Sequence, residues 1–224
     1  MLTLALDAAA GTATVALVDG DRVVRAAEAD LSDRSKDPLL PAVVAAIEAA
    51  GVAVTDVRRV VCGDGPGGFT ALRLAGATAK GVVRGTGAEL WVTPSLALIP
   101  AAAEPPLVPG EYLAVLDALR GECYAARVTV AEDGRVTRCE GLPRMTRAAA
   151  HEYGMTQRMK LIGPEEAGAM RPHARGLVRV AWRDGLVRRV SAADWEPAYG
   201  RLPEAQVRWE QTHQRALPSE RGGR

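Results

Sequence analysis

A glycine-rich segment is the part of this chain whose residue types and spacing could bind a phosphate group. Residues 63–70 read Gly-Asp-Gly-Pro-Gly-Gly-Phe-Thr and follow an apolar run at 57–62 that predicts a buried strand. A helix is predicted directly afterwards, over about 69–84. Glycine lets the backbone come close to a ligand, and the first turn of a helix offers unpaired N–H groups. The segment lacks the Gly-Lys-Ser/Thr ending of a P-loop and the glycine spacing of a dinucleotide site, so both an anion cradle and a plain strand-to-helix turn stay open.

Two aspartates, Asp7 and Asp117, each follow an apolar strand and precede a loop that contains glycine. A carboxylate in this position could approach the metal or phosphates of a nucleotide, or it could bond backbone N–H groups of its own turn. Ala8, Ala9 and Ala10 stand where a phosphate-binding hairpin would place hydroxyl groups, which favours the structural role. We therefore expect vestigial phosphate loops at Asp7, Gly65, Gly67, Gly68 and Asp117.

The two aspartates belong to two copies of one supersecondary unit. In the first copy a strand ending at Asp7 is followed by a strand at 13–18, a turn at Asp19-Gly20-Asp21 and a third strand. The same order returns from Tyr112, through Asp117 and a strand at 122–130, to a turn at 132–134. Two such units, each followed by helices and strands, are the arrangement of the actin, Hsp70 and sugar-kinase (ASKHA) class. We predict an α/β protein with two RNase H-like lobes facing a cleft.

The second lobe is predicted to be degenerate. The first unit is followed by strong signals for two helices and two strands, at 37–50, 57–62, 69–84 and 89–92. The second unit is followed by weaker signals, for a helix near 147–153, a strand at 160–162 and a helix opening at Pro164. Prolines at 105, 106 and 109 mark the boundary, because proline fits neither a central strand nor a helix interior. The predicted domains are an N-terminal lobe at 1–104, a C-terminal lobe at 105–210 and a poorly ordered tail at 211–224.

Composition excludes several classes of function. Lys plus Arg number 28 and Asp plus Glu 27, so the net charge of +1 gives the whole molecule little electrostatic attraction for nucleic acid. The three cysteines form no CxxC pair and the N-terminus does not read as a signal peptide, so a cytoplasmic protein is expected. Hydrophobic residues make up 48% of the chain, yet no apolar run reaches the ~18 residues of a membrane span.

Histidine placement argues against a metal centre. The three histidines, His151, His173 and His213, are far apart in sequence, and there is no HExxH motif. Zinc and iron sites need imidazole or thiolate ligands that come together. The sequence therefore predicts neither a metal site nor a catalytic residue.

Two helices carry more apolar surface than one sheet can cover, which predicts an interface with another subunit. The second of them has a seam at steps of three and four, formed by Phe69, Leu72, Gly76, Ala79 and Val83. The first has a stripe formed by Leu39, Leu40, Val43, Val44 and Ile47. Arg73, Lys80 and Arg84 are expected along one polar stripe, facing solvent, an acidic patch on a partner or a tRNA phosphate. The alternative, that the seam packs on the chain's own sheet and exposes Ala71, Leu74, Thr78 and Val82, stays open.

Four segments resemble the TsaB (YeaZ) family. Residues 65–76, Gly-Pro-Gly-Gly-Phe-Thr-Ala-Leu-Arg-Leu-Ala-Gly, are similar to its GPGSFTGLRIG signature. Residues 4–7 resemble its opening ILAIDT, residues 117–124 resemble its DARRGEVY, and residues 197–201 resemble its late P-x-Y-x-R.

The resemblance implies a non-catalytic subunit. It would act with a catalytic paralogue, TsaD, and an ATPase, TsaE, to place a threonylcarbamoyl group on adenosine 37 of tRNAs reading codons that begin with A. ATP and metal would be held by those partners, and the two apolar helices would bundle with the paralogue or, without it, with a second copy. In the paralogue a metal site resembles His-x-x-x-His on the first helix, whereas residues 34–39 here hold no histidine. The rival readings are an ATP-dependent transferase or metallopeptidase-like enzyme of the same fold, and a homodimeric binding module.

Overall fold

The computed structural model describes residues 1–33, 37–182, 185–200 and 212–213. Its strands are β1 (Leu2–Asp7), β2 (Thr12–Asp19), β3 (Arg22–Asp30), β4 (Arg59–Gly63), β5 (Glu89–Thr93), β6 (Gly110–Asp117), β7 (Glu122–Val130), β8 (Val136–Thr146), β9 (Lys160–Ile162) and β10 (Arg188–Arg189). Its α-helices are α1 (Leu39–Ala49), α2 (Phe69–Thr86), α3 (Ser95–Ala101) and α4 (Arg147–Thr156), with 3-10 helices at Val54–Asp56 and Ala174–Arg179. Within these residues, no helix combines the length and the apolar character needed to cross a membrane.

Two sheets repeat one strand order. The first runs β10-β5-β4-β1-β2-β3, in which β2 pairs antiparallel with β1 and β3, β4 pairs parallel with β1 and β5, and β10 pairs antiparallel with β5. The second runs β8-β7-β6-β9, and α4 precedes β9 as α1 precedes β4. Over the ranges that the structure describes, the second lobe has no counterpart of α2 or β5. This is the predicted ASKHA arrangement of two RNase H-like lobes, the second of them degenerate.

Apolar layers cover both faces of the first sheet and continue between the lobes. Helices α1 and α2 pack on the outer face of the first sheet, and α4 packs on the outer face of the second. Between the inner faces lie α3 and the 3-10 helix Ala174–Arg179, in one layer with Val61, Leu116 and Tyr124. The space that would form a cleft between the lobes is therefore filled by apolar side chains.

Arginines tie the lobes together around α3. Arg179 donates hydrogen bonds to the carbonyl oxygens of Ala101 and Ala103 at 3.3 and 2.7 Å, and Arg175 donates to that of Ala102 at 3.3 Å. These bonds satisfy carbonyl groups that the end of a helix leaves without a partner. In addition, Arg135 in the β7–β8 turn pairs with Asp21 in the β2–β3 turn at 2.7 Å, so corresponding turns of the two units meet.

The structure differs from the sequence-based expectation in three places. The sequence does not predict helix α3, because all residues of this helix are buried and it therefore has no amphipathic stripe. The segment from Pro164 forms successive turns instead of a helix, since it has no apolar stripe to bury. The sequence predicts a second lobe that extends to residue 210, whereas β10 pairs with β5 and so returns the chain to the first sheet. The predicted tail at 211–224 lies outside the described residues except at 212–213.

Candidate partner surface and the closed phosphate loops

The glycine-rich loop after β4 lies directly against the β1–β2 loop. The amide of Gly68 donates to the carbonyl oxygen of Ala9 at 3.3 Å. A Cβ atom at position 67 would be 2.5 Å from the same oxygen, so residue 67 must be glycine for the loops to come this close. The two loops that would surround a phosphate therefore contact each other.

Asp7 uses its carboxylate to hold these loops in place. Its Oδ2 accepts a hydrogen bond from the Ser95 hydroxyl at 2.5 Å, and its Oδ1 accepts one from the Ala9 amide at 3.0 Å. The Ser95 oxygen in turn accepts a bond from the Gly65 amide at 3.1 Å. Burial raises the pKa of Asp7 to about 6, although both hydrogen bonds act in the opposite direction. A side chain at Gly63 would collide with this carboxylate, which ties the glycine to the buried acid.

Asp117, the counterpart of Asp7 in the second lobe, is exposed and stabilises a turn. Its Oδ1 accepts a hydrogen bond from the Leu119 amide at 3.0 Å. Leu119, Arg120 and Gly121 follow with φ of 64°, 57° and 77°, a run of left-handed residues that an aspartate at the start of the turn helps to hold. Across the described ranges, no three His, Cys, Asp or Glu side chains gather in a way that could hold a metal ion.

The segment 195–200 covers the glycine-rich loop from the other side. The Trp195 indole donates to Asp64 Oδ1 at 2.8 Å, and the Ala198 amide donates to the Asp64 carbonyl oxygen at 2.7 Å. A Cβ atom on Gly65 would lie 2.5 Å from the Ala198 carbonyl oxygen. Position 65 therefore requires glycine. Its φ of 90° is a second reason, since other residues rarely adopt this backbone conformation.

Three of the four segments that resemble the family meet at Tyr199. Its ring centre lies 4.4 Å from that of Phe69 in the glycine signature. Its carbonyl oxygen accepts a hydrogen bond from the hydroxyl of Tyr124, which belongs to the second-lobe motif, at 3.2 Å. The sequence alone does not predict this junction, because the three segments are far apart along the chain and share no periodic pattern.

The expected seam on α2 faces the interior of the chain. Leu72 and Ala79 are fully buried against the first sheet, and Gly76 lies beside Trp195 and Pro197 of the same chain. The seam is therefore covered at its centre and cannot serve as the partner surface in this conformation. At one end of the seam Phe69 packs on Tyr199. At the other end Val83 is partly buried and packs on the apolar core between the first sheet and its helices. Lys80 lies on this side as well, where it pairs with Glu196 at 3.0 Å.

The exposed surface lies on the opposite side of α2 and on α1. Helix α1 buries Leu39, Val43 and Ile47, whereas Leu40 and Val44 are 48% and 45% exposed. Helix α2 exposes small residues between two arginines. We call the combined surface the outer helical face, formed by Asp37, Leu40, Val44, Glu48, Arg73, Ala77, Gly81 and Arg84. Large exposed apolar residues beside small ones suit the close approach of another helix.

The comparisons with known proteins agree with the fold. Residues 30–165 match the family described as tRNA N6-adenosine threonylcarbamoyltransferase, TsaD. Two structures from Pseudomonas aeruginosa are each 25% identical to the chain. One, of an uncharacterised protein with similarity to peptidase YeaZ, has a TM-score of 0.70 and covers 89% of this chain and 99% of its own. The other, of YeaZ, has a TM-score of 0.67 and covers 88% of this chain and 99% of its own.

Comparison with the curated proteins gives no match. The family match spans well over half of the chain, and both structures align over nearly their whole length. The junction at Tyr199 also joins segments that resemble the same family. The chain therefore belongs to the tRNA N6-adenosine threonylcarbamoyltransferase family and, within it, to the TsaB (YeaZ) group.

Proposed function

We propose that this chain is a non-catalytic subunit of a tRNA threonylcarbamoyltransferase assembly. It would act with a TsaD-like catalytic paralogue and a TsaE-like ATPase to form N6-threonylcarbamoyladenosine at position 37 of tRNAs reading codons that begin with A. The observation that carries this proposal is the direct contact between the glycine-rich loop and Ala9. That contact occupies the place where a nucleotide-binding relative would hold phosphate.

The polar groups around this place are already used within the fold. Catalysis of phosphoryl or acyl transfer needs donors aimed at the charge that develops on the reacting group. Here the amide of Gly65 donates to Ser95, and that of Gly68 donates to Ala9. The Asp7 carboxylate accepts two hydrogen bonds and is buried, so none of these groups faces a substrate. We propose that ATP and metal are held by the partner subunits.

The outer helical face is the proposed surface for the catalytic paralogue. Leu40 and Val44 supply exposed apolar area, while Ala77 and Gly81 leave room for a facing helix. Without the paralogue, we propose that the same face binds a second copy of the chain. Transfer RNA is the substrate of the assembly, and the balanced charge of this subunit limits any direct contact with it to a local patch. We place the assembly in the cytoplasm, in keeping with the free cysteines.

Reconstitution tests this proposal. Purified chain, the TsaD-like paralogue, the TsaE-like ATPase and an unmodified tRNA are combined with an activated threonylcarbamoyl donor, ATP and Mg²⁺, and modified adenosine is measured after nuclease digestion. We expect modification with all three proteins and none with this chain alone. Ala77→Leu should abolish both binding and modification, while Ala148→Leu, at an exposed position on α4, should leave both intact.

The rival function is an enzyme of the same fold. Modified tRNA formed at the same rate without this chain would refute the proposal. Turnover of ATP or cleavage of peptides by the chain alone would instead support an ATP-dependent transferase or a metallopeptidase-like enzyme.

A further inference from the structure

Arg59, at the beginning of β4, carries a charge that no acidic group balances. Its Nε atom is buried without a hydrogen-bond partner, and within the described ranges its guanidinium forms no hydrogen bond or ion pair. Two other arginines with a buried Nε, Arg127 and Arg175, pair instead with Glu111 and Glu104. A partly buried cation is costly unless it is paired, so an unpaired one indicates a place for an anion.

Two tryptophans form a notch around this guanidinium. Its central carbon, Cζ, lies 4.9 Å from the ring centre of Trp91 and 4.4 Å from that of Trp182. The two ring centres are 5.6 Å apart and the ring planes are inclined by 59°. The rings attract the cation through their π faces, but they offer no oxygen atom to its N–H groups. All three side chains keep part of their surface exposed, so a ligand can reach the notch from solvent.

The neighbouring carboxylate is already used by other groups. Arg59 is in register with Glu89 on β5, and Trp91 is in register with Arg189 on β10. Glu89 accepts a hydrogen bond from the Trp91 indole at 3.1 Å through Oε2, and its Oε1 pairs with Arg189 at 3.2 Å. The acid beside Arg59 is therefore neutralised, and the charge of Arg59 is left over.

This end of the sheet has a local surplus of positive charge, although the whole chain is nearly balanced. Strands β4, β5 and β10 contain three arginines and one acidic residue. Arg188 pairs with Asp64 at 2.6 Å, whereas the exposed Arg58 next to Arg59 has no ion pair within the described ranges. The notch lies at the opposite end of β4 from the glycine-rich loop, so it is separate from the closed phosphate loops.

A guanidinium beside two indole rings suits an unpaired nucleotide. Arginine binds phosphate oxygens through two parallel hydrogen bonds, and an exposed aromatic ring stacks a base. An acidic protein side chain would use the arginine but leave the rings without a planar partner. We infer that Arg59, Trp91 and Trp182 bind an unpaired nucleotide of RNA, with a phosphate on Arg59 and the base against an indole. The inference rests on the proposed function only in naming tRNA as this RNA.

A short single-stranded RNA with a fluorescein label tests the site in the full chain. Fluorescence anisotropy gives its Kd for wild type, for Arg59→Gln and for Arg171→Gln, which removes an exposed arginine elsewhere. We expect Arg59→Gln to weaken binding about ten-fold or more and the control to stay within about two-fold of wild type. The slope of log K against log salt concentration should also become shallower by about 0.7 in Arg59→Gln, as the loss of one phosphate contact requires.

Conservative variants separate binding from a purely structural role. Arg59→Lys keeps the charge but loses the fork of donors, so it should bind RNA more weakly than wild type with an unchanged salt slope. Trp182→Phe keeps a ring that can stack, whereas Trp182→Ala removes it, so only the second should weaken binding clearly. Circular dichroism checks that each variant is folded. If Arg59→Gln does not fold, Arg59→Lys and the pair of Trp182 variants decide the question.

Competitors identify the ligand. Unmodified tRNA should displace the labelled RNA, whereas inorganic phosphate, AMP and an oligoglutamate peptide should need concentrations at least about ten-fold higher. Displacement at equal concentration by phosphate or AMP would assign the notch to a free phosphate or nucleotide, and displacement by the peptide would assign it to an acidic protein segment.

Either of these results would overturn the inference. Equal affinities of wild type and folded Arg59→Gln, or no RNA binding by wild type at about 500 μM, would do the same. All these measurements use this chain alone, so they can fail while the role in tRNA modification stands. A failed reconstitution, in turn, would leave RNA binding at the notch unaffected.

Discussion

The Ser95 hydroxyl lies 2.5 Å from the Asp7 carboxylate and joins the end of β1 to the beginning of α3. The same hydroxyl oxygen accepts the amide of Gly65, so one side chain connects three segments that are far apart in sequence. The Asp7 carboxylate faces the protein interior, so its ionisation is coupled to folding.

Removing the charge at position 7 should stabilise the protein above neutral pH. Burial raises the pKa of Asp7 from 3.8 to about 6, so stability from proton binding is present below pH 3.8 and is lost as the pH rises through about 6. We expect Asp7→Asn to be more stable than wild type at pH 8, by on the order of 2 kcal/mol, with little gain at pH 4. Urea unfolding at both pH values measures the effect, and Asp117→Asn is the exposed control. A variant less stable by the same amount at both pH values would contradict this prediction.

His173 should make the fold sensitive to acid. Burial, followed by the nearby Arg175, lowers the pKa of His173 below 6.5, while Glu28 and Glu104 act in the opposite direction. Its Nδ1 accepts the amide of Arg175 at 3.0 Å, and protonation there would break that bond. Because the folded-state pKa is depressed, this stability is present above pH 6.5 and is lost as the pH falls through the lower value.

We expect His173→Asn, which keeps an acceptor near the place of Nδ1, to lose less stability than its parent between about pH 7 and about pH 5. The comparison is best made in the Asp7→Asn background, since Asp7 responds to pH in the opposite sense. Thermal unfolding at matched ionic strength provides the measurement. Equal slopes for the variant and its parent would show that His173 does not titrate in this window.

Two neighbouring positions on α2 should respond differently to the same substitution. Gly76→Leu would place a large side chain where a Cβ atom is already 3.4 Å from Pro197 and 3.5 Å from Trp195, so a loss of about 1–3 kcal/mol is expected. Ala77→Leu points to solvent and should change stability by about 0.5 kcal/mol or less, while it blocks the outer helical face. Circular dichroism on dilute protein measures the monomer. A stable Gly76→Leu monomer combined with an unstable Ala77→Leu monomer would mean that the helix faces the other way.

The isolated chain should not turn over ATP. The layer between the lobes is filled by apolar side chains, and the loops that would hold phosphate contact each other. Phosphate release by homogeneous protein, measured with Mg²⁺ and ATP present, should stay at the level of a buffer blank. Steady release that follows the protein through two chromatographic steps would show that the lobes open to bind nucleotide.

The repeated strands were predictable because alternation and turn chemistry are local signals. The predicted strands at 122–130 and 160–162 have the bounds of β7 and β9. The glycine-rich loop and the helix that follows it are predictable for the same reason. These features depend on residues close together in sequence, which a single chain reveals.

The orientation of α2 was not predictable, because small residues occur on both of its sides. Gly76 and Ala79 mark one side, Ala77 and Gly81 the other, and periodicity alone cannot choose between them. Trp195 packs beside Gly76 and so determines which side of α2 faces the interior. It lies in a distant segment that has no strand or helix pattern of its own. Helix α3 was missed for a related reason, since a helix that is buried on every side has no polar face.

The contact between Gly67 and Ala9 has a consequence for protein engineering. Adding serine or threonine hydroxyls at positions 8–10 would not by itself create a site for triphosphate, because the backbone of the glycine-rich loop lies directly against that of the β1–β2 loop. The loops would first have to separate, which breaks the bond from the Gly68 amide to Ala9 and disturbs the hydrogen bonds that Asp7 and Ser95 make to the same loops. A search for gain of nucleotide binding would therefore have to vary loop length as well as side chains.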